Sequence, residues 1–406
     1  MSASLKPKTE LKRTLSLSAM MFYGLGTIIG AGIYVLIGEI IGLTGAWAPL
    51  AFLIASGVAT FTGLSYSELV ARHPRSAGEA EYILQAFSSP TSAHAIGWAV
   101  IFTGIVSAAT LINGFTGYAQ TFIDWPAPLL IALSISGLCT LACIGVSVSV
   151  GAAVIVTLIE LAGLILISCL LIDDAFSTEA WQNLQHQASQ GIQAGTLMTA
   201  SFIAFYAFIG FEDMVNMAEE VEDVSKKLPK AIILALIISA LIYSVVAILL
   251  VLTIPQSLWT DNSSPLTSVV QSQASWLSPQ IMTCISLIAI INGVMVQLLM
   301  VPRVIYGLTQ KSGKLTILSS IHPKTQTPIN ATLLASGLIL IFAISLPLTL
   351  LAKITSWLIL LIFITVNISL IRIKQAQPFQ GFQVPMAIPW IGILTCATLL
   401  LSQIFL

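Results

Sequence analysis

Charge is what this chain has least of. Asp, Glu, Lys and Arg make up 8% of its 406 residues, against roughly a quarter in a soluble domain. Apolar residues take 57%, more than any soluble fold of this length could hide. Cysteine is scarce as well: Cys139, Cys143, Cys169, Cys284 and Cys396 all fall inside or at the ends of apolar runs. No two of them form a ligand pair with a nearby histidine, which argues against a disulfide framework and a metal site. They read as small apolar core residues. His73, His94, His186 and His322 sit in loops or at span ends without a partner at metal-binding spacing. Phosphate-binding motifs fail too. The stretch Gly307 to Lys314 is one residue too long before Gly313-Lys314, and Leu315 replaces the hydroxyl that would hold magnesium. Gly24-x-Gly26 lacks a third glycine at position 29 and follows no strand, so a dinucleotide site is not expected. No cofactor, no ATP-driven step and no nucleic-acid partner is expected.

What the chain does have is long uncharged runs, such as Ala231 to Ile254 and Ile329 to Leu351. About 20 apolar residues suffice to cross a hydrocarbon core of roughly 30 Å. The pattern predicts an all-α polytopic membrane protein of about eleven spans, near 17–42, 46–70, 95–122, 127–145, 149–172, 196–218, 231–254, 279–309, 327–347, 351–373 and 386–406. The polar, basic start followed by a long apolar run with glycines in its middle does not resemble a cleaved signal peptide. With the N-terminus inside, 15 of the 16 lysines and arginines fall on cytoplasmic segments and only Lys353 lies outside. That is the positive-inside pattern of a cytoplasmic membrane protein, and it places the C-terminus outside. Between Arg72 and Ala95 a short interfacial helix is expected, with Tyr82, Ile83 and Phe87 on one side.

Two spans break the rules for a simple membrane helix. The first reads Gly24-Leu-Gly26-Thr-Ile-Ile-Gly30-Ala31-Gly32. Glycine costs about 1 kcal/mol in a helix, so this run invites an unwound stretch. Close helix packing is the alternative, because Gly26 and Gly30 form a Gly-x-x-x-Gly pair. The sixth span ends Tyr206-Ala207-Phe208-Ile209-Gly210-Phe211-Glu212-Asp213, two carboxylates on an apolar run. Interrupted segments at corresponding places in two five-helix halves point to a transporter with inverted repeats. Free N–H groups at such a break suit a carboxylate, and free carbonyls suit an ammonium group, so a zwitterionic amino acid matches both.

These two runs, with Ala218-Glu219-Glu220-Val221, Lys226-Lys227-Leu228-Pro229, Arg303-Val304-Ile305-Tyr306-Gly307 and His322-Pro323-Lys324 before Thr327-Pro328, resemble the amino acid–polyamine–organocation superfamily. The nearest subset is the bacterial permeases similar to cationic amino acid transporters, and the match runs from about Leu15 to the end of the tenth span. The resemblance implies a LeuT-type fold of two inverted repeats, 15–172 and 196–374, with discontinuous helices 1 and 6 and an additional helix over 386–406. It implies that amides of Gly30, Ala31 and Gly32 hold the substrate carboxylate and that carbonyls of Ile28, Tyr206 and Ile209 hold its amino group. Tyr206 or Phe208 would be the gate.

The chain departs from some relatives in the fifth span, where Val156 to Leu161 carries Glu160 in place of a lysine. A lone ionised carboxylate in hydrocarbon is expensive, which makes Glu160 a candidate proton carrier. It could instead be a neutral acid hydrogen-bonded to a neighbouring helix. Glu212 is the second proton-coupling candidate, because some family members have a proton-linked glutamate there. Glu39 and Glu68, nearer span ends, read as solvated or structural. Asn292 and Gln297 in the eighth span could face the site or pack against a helix. The expected function is secondary, proton-coupled uptake of neutral amino acids through the lipid bilayer. Amino acid exchange, cationic substrates and a transport-dead sensor or scaffold are the alternatives, and an enzyme is not expected.

Overall fold

The computed structural model describes residues 13–75, 78–145, 150–259, 262–312 and 315–405. Lys6, Lys8, Lys12 and Lys314 lie outside them. Among the described residues the only β feature is an isolated parallel bridge between Leu15 and Val221; the rest is helix and connection. In chain order the helices are α1 (Leu17–Thr44), α2 (Ala48–Arg72), α3 (Gly78–Phe87), α4 (Pro90–Ala119), α5 (Ala127–Ile144), α6 (Val150–Ala175), α7 (Thr178–Ser189) and α8 (Ala194–Tyr206). They continue with α9 (Val224–Thr253), α10 (Pro265–Gln273), α11 (Pro279–Ser312), α12 (Ile329–Ser345), α13 (Leu348–Ala376) and α14 (Ala387–Phe405). Local chemistry sets several ends. Ser16 and Ser89 accept the N–H groups of Ala19 and Ser92, capping α1 and α4. Gly145 closes α5 at φ +90°, a conformation that favours glycine.

Nine described stretches are long and apolar enough to cross a membrane, and two shorter apolar helices accompany them. One stretch, Gly32–Arg72, has 41 residues, about 60 Å of helix at 1.5 Å per residue and twice the hydrocarbon thickness. It divides into the last 13 residues of α1 and all of α2. The two shorter helices supply the start of α1 and all of α12. The result is eleven spans: α1, α2, α4, α5, α6, α8 with its continuation, α9, α11, α12, α13 and α14. Ile155, Leu241 and Ile341 point outward from them at 62%, 62% and 59% exposure, a surface suited to lipid rather than water.

The spans pack in a regular order. The first touches the sixth, the second the seventh, the third the eighth and the fourth the ninth, as α1–α8, α2–α9, α4–α11 and α5–α12. Other contacts recur in pairs under the same exchange: α1–α6 with α8–α13, α4–α13 with α11–α6, and α1–α9 with α8–α2.

Links between helix ends respect two faces. Arg72 donates to the Gln377 carbonyl, Thr327 to the Cys143 carbonyl, and the amides of Thr14 and Leu15 to the Glu220 carbonyl. On the other face Gln256 donates to the Gly42 carbonyl and Thr121 to the Thr283 hydroxyl. Glu68, fully buried, accepts from Arg72 and Lys374 at 2.7 Å each and from the Val384 N–H at 2.8 Å. It ties α2 to α13 and to the segment before α14, so its role is structural; Glu39 is exposed. The short helix expected after the second span is α3, with Tyr82 and Ile83 buried. It is held by Glu79, which accepts from the Tyr66 hydroxyl at 2.9 Å and whose carboxyl is pushed above the ordinary carboxylate range by burial.

The interruption expected in the first span is not found: α1 is helical from Leu17 to Thr44. Its glycines serve close approach instead. A side chain at Gly24 would meet Met214, at Gly26 Thr157, at Gly30 Glu160 and at Gly32 Ala207.

Candidate functional site

The sixth span is interrupted. α8 stops at Tyr206, and the next three amides reach back only three residues: Ala207 to Ala204, Phe208 to Phe205 and Ile209 to Tyr206, at 3.0 to 3.1 Å. Gly210 then turns at φ +123° and hands the chain to a 3₁₀ stretch, Phe211–Glu220. Any side chain at Gly210 would collide with the Thr27 carbonyl of α1, so the break and the first span touch backbone to backbone. Irregular backbone at this depth needs partners. The Gly210 N–H donates to Glu212 Oε2 at 2.8 Å. The Tyr243 hydroxyl of α9 lies 3.0 Å from the Ala207 carbonyl and 2.9 Å from the Ile28 carbonyl, bridging the break to α1.

Beside this junction is a small cavity of about 30 Å³. α1 contributes Thr27, Ile28 and Gly32, and the sixth span contributes Tyr206, Ile209, Gly210 and Asp213. Ser107 and Leu111, one turn apart on α4, form another wall, and Gly293, Val296 and Gln297 of α11 complete it. The Tyr206 hydroxyl is 3.0 Å from the Ser107 hydroxyl and donates to the Ser107 carbonyl at 3.1 Å, tying the sixth span to the third.

Four of the residues expected to bind substrate therefore come together: Ile28, Gly32, Tyr206 and Ile209. Gly30 faces the other way: a Cβ there would stand 3.3 Å from Glu160 Oε1. Ala31 belongs to α1, but its side chain lies outside the described residues. Phe208 is buried and does not line this cavity; its ring stands edge-on to Tyr243 with centroids 5.0 Å apart. Of the two aromatic residues offered as gates, Tyr206 is the one at the cavity.

Glu160 and Glu212 are both buried, and neither lines the cavity. Glu160 lies across α1 from it. Asn292 donates to its Oε1 at 3.4 Å, while Oε2 has no hydrogen-bond partner among the described residues. Glu212 is spent on the Gly210 amide. The acid at the cavity is Asp213, one residue on and 7% exposed, and sequence reasoning passed over it in favour of Glu212. It also missed Thr27, Ser107, Leu111, Gly293 and Val296. Ser107 carried a faint signal, as a small hydroxyl one helical turn before Leu111 in an apolar span. Gln297 does face the cavity, and its Oε1 is unpartnered; Asn292 serves Glu160 instead. The ensemble is a small chamber with apolar walls, one carboxylate and one side-chain amide in its lining, set between an interrupted helix and a glycine-rich one. Its lining, apolar walls with a few polar groups, is of the kind found at small-molecule sites.

A family model described as amino acid permease matches residues 13–406. The branched-chain amino acid permease BcaP of Bacillus subtilis (strain 168) is 27% identical over 429 residues, covering 98% of this chain and 90% of that protein. The mitochondrial cationic amino acid transporter 3 of Arabidopsis thaliana is 26% identical over 93% of this chain, which spans 64% of that protein's length. The cationic amino acid transporter 4 of Homo sapiens is 26% identical, and this chain spans 61% of it. With nearly its whole length matched and an eleven-span helical architecture around a chamber at the break of the sixth span, the chain belongs to the amino acid permeases of the amino acid–polyamine–organocation superfamily and is a membrane transporter, not an enzyme.

Proposed function

We propose that this permease takes up neutral amino acids together with protons across the cytoplasmic membrane, by alternating access between two inverted five-helix repeats of the LeuT type, residues 15–172 and 196–374. The observation that carries the coupling is Glu160: a fully buried carboxyl with one unpartnered oxygen, set against Gly30 on the opposite side of α1 from the cavity. A proton on Glu160 then biases α1, and α1 walls the substrate chamber. Coupling needs only that the inward-open and outward-open forms hold this proton with different affinity. The pairing of each of the first four spans with the span five places later supports the repeats. Ile28, Leu111, Ile209 and Val296 in the lining support an apolar side chain, and a branched-chain permease is among the relatives. Holding the carboxylate on the amides of Gly30, Ala31 and Gly32 requires them to leave the helix, which its glycines make inexpensive.

A second reading, uptake of basic amino acids, is favoured by Asp213 in the chamber lining and by the cationic transporters among the relatives. Both readings meet one experiment. Purified protein in liposomes is given labelled leucine, isoleucine, valine, lysine or arginine, with and without an inward proton gradient. Branched-chain uptake should accumulate by up to about tenfold per pH unit for one proton per substrate, because 1.4 kcal/mol is a factor of ten, and Glu160→Gln should abolish that accumulation. Lysine uptake that disappears in Asp213→Asn selects the second reading. Uptake indifferent to the gradient but dependent on internal amino acid makes the protein an exchanger.

A further inference from the structure

A second cavity lies between α5, α11 and α12, on the face that carries the entrance to α1. It holds about 290 Å³, against about 30 Å³ in the chamber. The two share α11 and no other element. Gly293, Val296 and Gln297 line the chamber, whereas Leu298, Leu299, Pro302, Arg303 and Tyr306 line the second space. From Leu298 to Tyr306 the helix rises about 12 Å at 1.5 Å per residue. The cavity therefore runs from the end of the bundle into the depth of the spans, and its two ends differ. Leu298 and Leu299 make the deep end apolar. Arg303, Tyr306 and the connection between α11 and α12 make the shallow end polar.

That connection is closed on itself. The His322 N–H donates to the Thr327 carbonyl at 3.0 Å and the Gln326 N–H to the His322 carbonyl at 2.9 Å. Thr327 donates its hydroxyl to the Cys143 carbonyl of α5 at 2.9 Å, and the Thr325 hydroxyl is 2.7 Å from that of Thr327. The threonines are thus spent on holding the wall, and two other donors remain. Arg303 is exposed and has no hydrogen bond or ion pair among the described residues. The Tyr306 hydroxyl accepts from Gln310 Nε2 at 3.0 Å, which leaves its own proton to give. No carboxylate is among the described residues of the lining, and α12 starts there behind Pro328 without a side-chain cap. An unpaired guanidinium, a phenol O–H and a helix start with no acid to balance them favour an anion, and the arginine fork matches phosphate.

The surroundings tell which carrier brings the phosphate. Ile321 lines the cavity and is exposed, as are Leu315 and Ile317 before it on the same non-helical connection. Leu141 and Ile144, next to the lining residues of α5, and Leu333, next to Thr332 of α12, are exposed too. Large aliphatic side chains are costly in water and suit the boundary between headgroups and acyl chains. Lys324 adds an exposed cation to the same connection. Free phosphate would account for the arginine but not for an apolar depth with an aliphatic rim. A phospholipid accounts for all three.

We propose that this cavity binds an anionic phospholipid, its phosphate on Arg303 and Tyr306 and its acyl chain along Leu298 and Leu299. Basic pockets between spans are known seats for such headgroups. The site depends neither on which amino acid is carried nor on how transport is driven.

The test is thermal unfolding of the purified protein in a neutral detergent, titrated with phosphatidylglycerol, phosphatidylcholine or inorganic phosphate. Wild type is compared with Arg303→Gln, which removes the charge, and with Leu299→Trp, which fills the apolar end and leaves the charge. Phosphatidylglycerol should raise the wild-type midpoint to a plateau, and the other two additions should not. The half-saturating concentration should rise by about tenfold in each variant, for Arg303→Gln the loss of a hydrogen bond to a charged group. If Arg303→Gln unfolds without lipid, Leu299→Trp carries the comparison. An unchanged response in the folded variants overturns the site. Phosphatidylcholine acting as well as phosphatidylglycerol overturns the part given to charge, and inorganic phosphate reproducing the rise overturns the lipid.

Discussion

At Gly210 the chain turns with φ +123° while pressed against the Thr27 carbonyl. Alanine there meets two penalties at once, a backbone conformation costing about 1–3 kcal/mol and a collision with α1. Gly210→Ala should therefore lower the thermal midpoint in detergent and abolish uptake in liposomes; an active variant of unchanged stability would show that the turn is dispensable. The same turn explains why single residues of the site were only partly readable. Glu160 stands out in the sequence as a charge in an apolar span, and it is buried as that position implies. Its partner Asn292 is 132 positions away, and no spacing rule connects them. Glu212 and Asp213 are neighbours, and which one meets the cavity depends on the 3₁₀ path after Gly210. Helical periodicity cannot supply that.

Among the elements, α2 and α13 are joined where charge is most expensive to strand. Glu68 is fully buried and faces both Arg72 and Lys374. Removing one partner of a buried ion pair costs about 3–5 kcal/mol, because the other is left uncompensated. Glu68→Ala should lose stability on that scale in a detergent melt, and adding Lys374→Met should restore part of it. If the double variant is as unstable as the sum of the two single ones, the residues do not act as a unit. Ten-odd spans were legible as elements because length and apolarity alone define them. The behaviour of α1 was not. Its glycines signal a weak helix when read singly, yet each admits a particular neighbour (Met214, Thr157, Glu160 or Ala207), and neighbours from distant spans leave no mark on local sequence.

For the whole molecule, the alternation of basic residues foretold which ends share a face, and the loop contacts follow it: Arg72 meets Gln377, and Gln256 meets Gly42 on the other side. If the positive-inside rule holds here, the first face is the cytoplasmic one. In a cysteine-free background, Lys353→Cys should react with a membrane-impermeant maleimide added to intact cells, whereas Lys226→Cys should react only after lysis; the reverse labelling would invert the orientation. One small feature limits how the molecule can move. The amides of Thr14 and Leu15 bond the Glu220 carbonyl at 2.9 and 3.0 Å, and the Glu222 amide returns to Leu15 at 3.1 Å. The entrance to the first span and the exit from the sixth are thus laced together like two leaves of one shutter. Parting them would break all three bonds, so under the proposed alternating access the two are expected to swing together, away from α4 and α11.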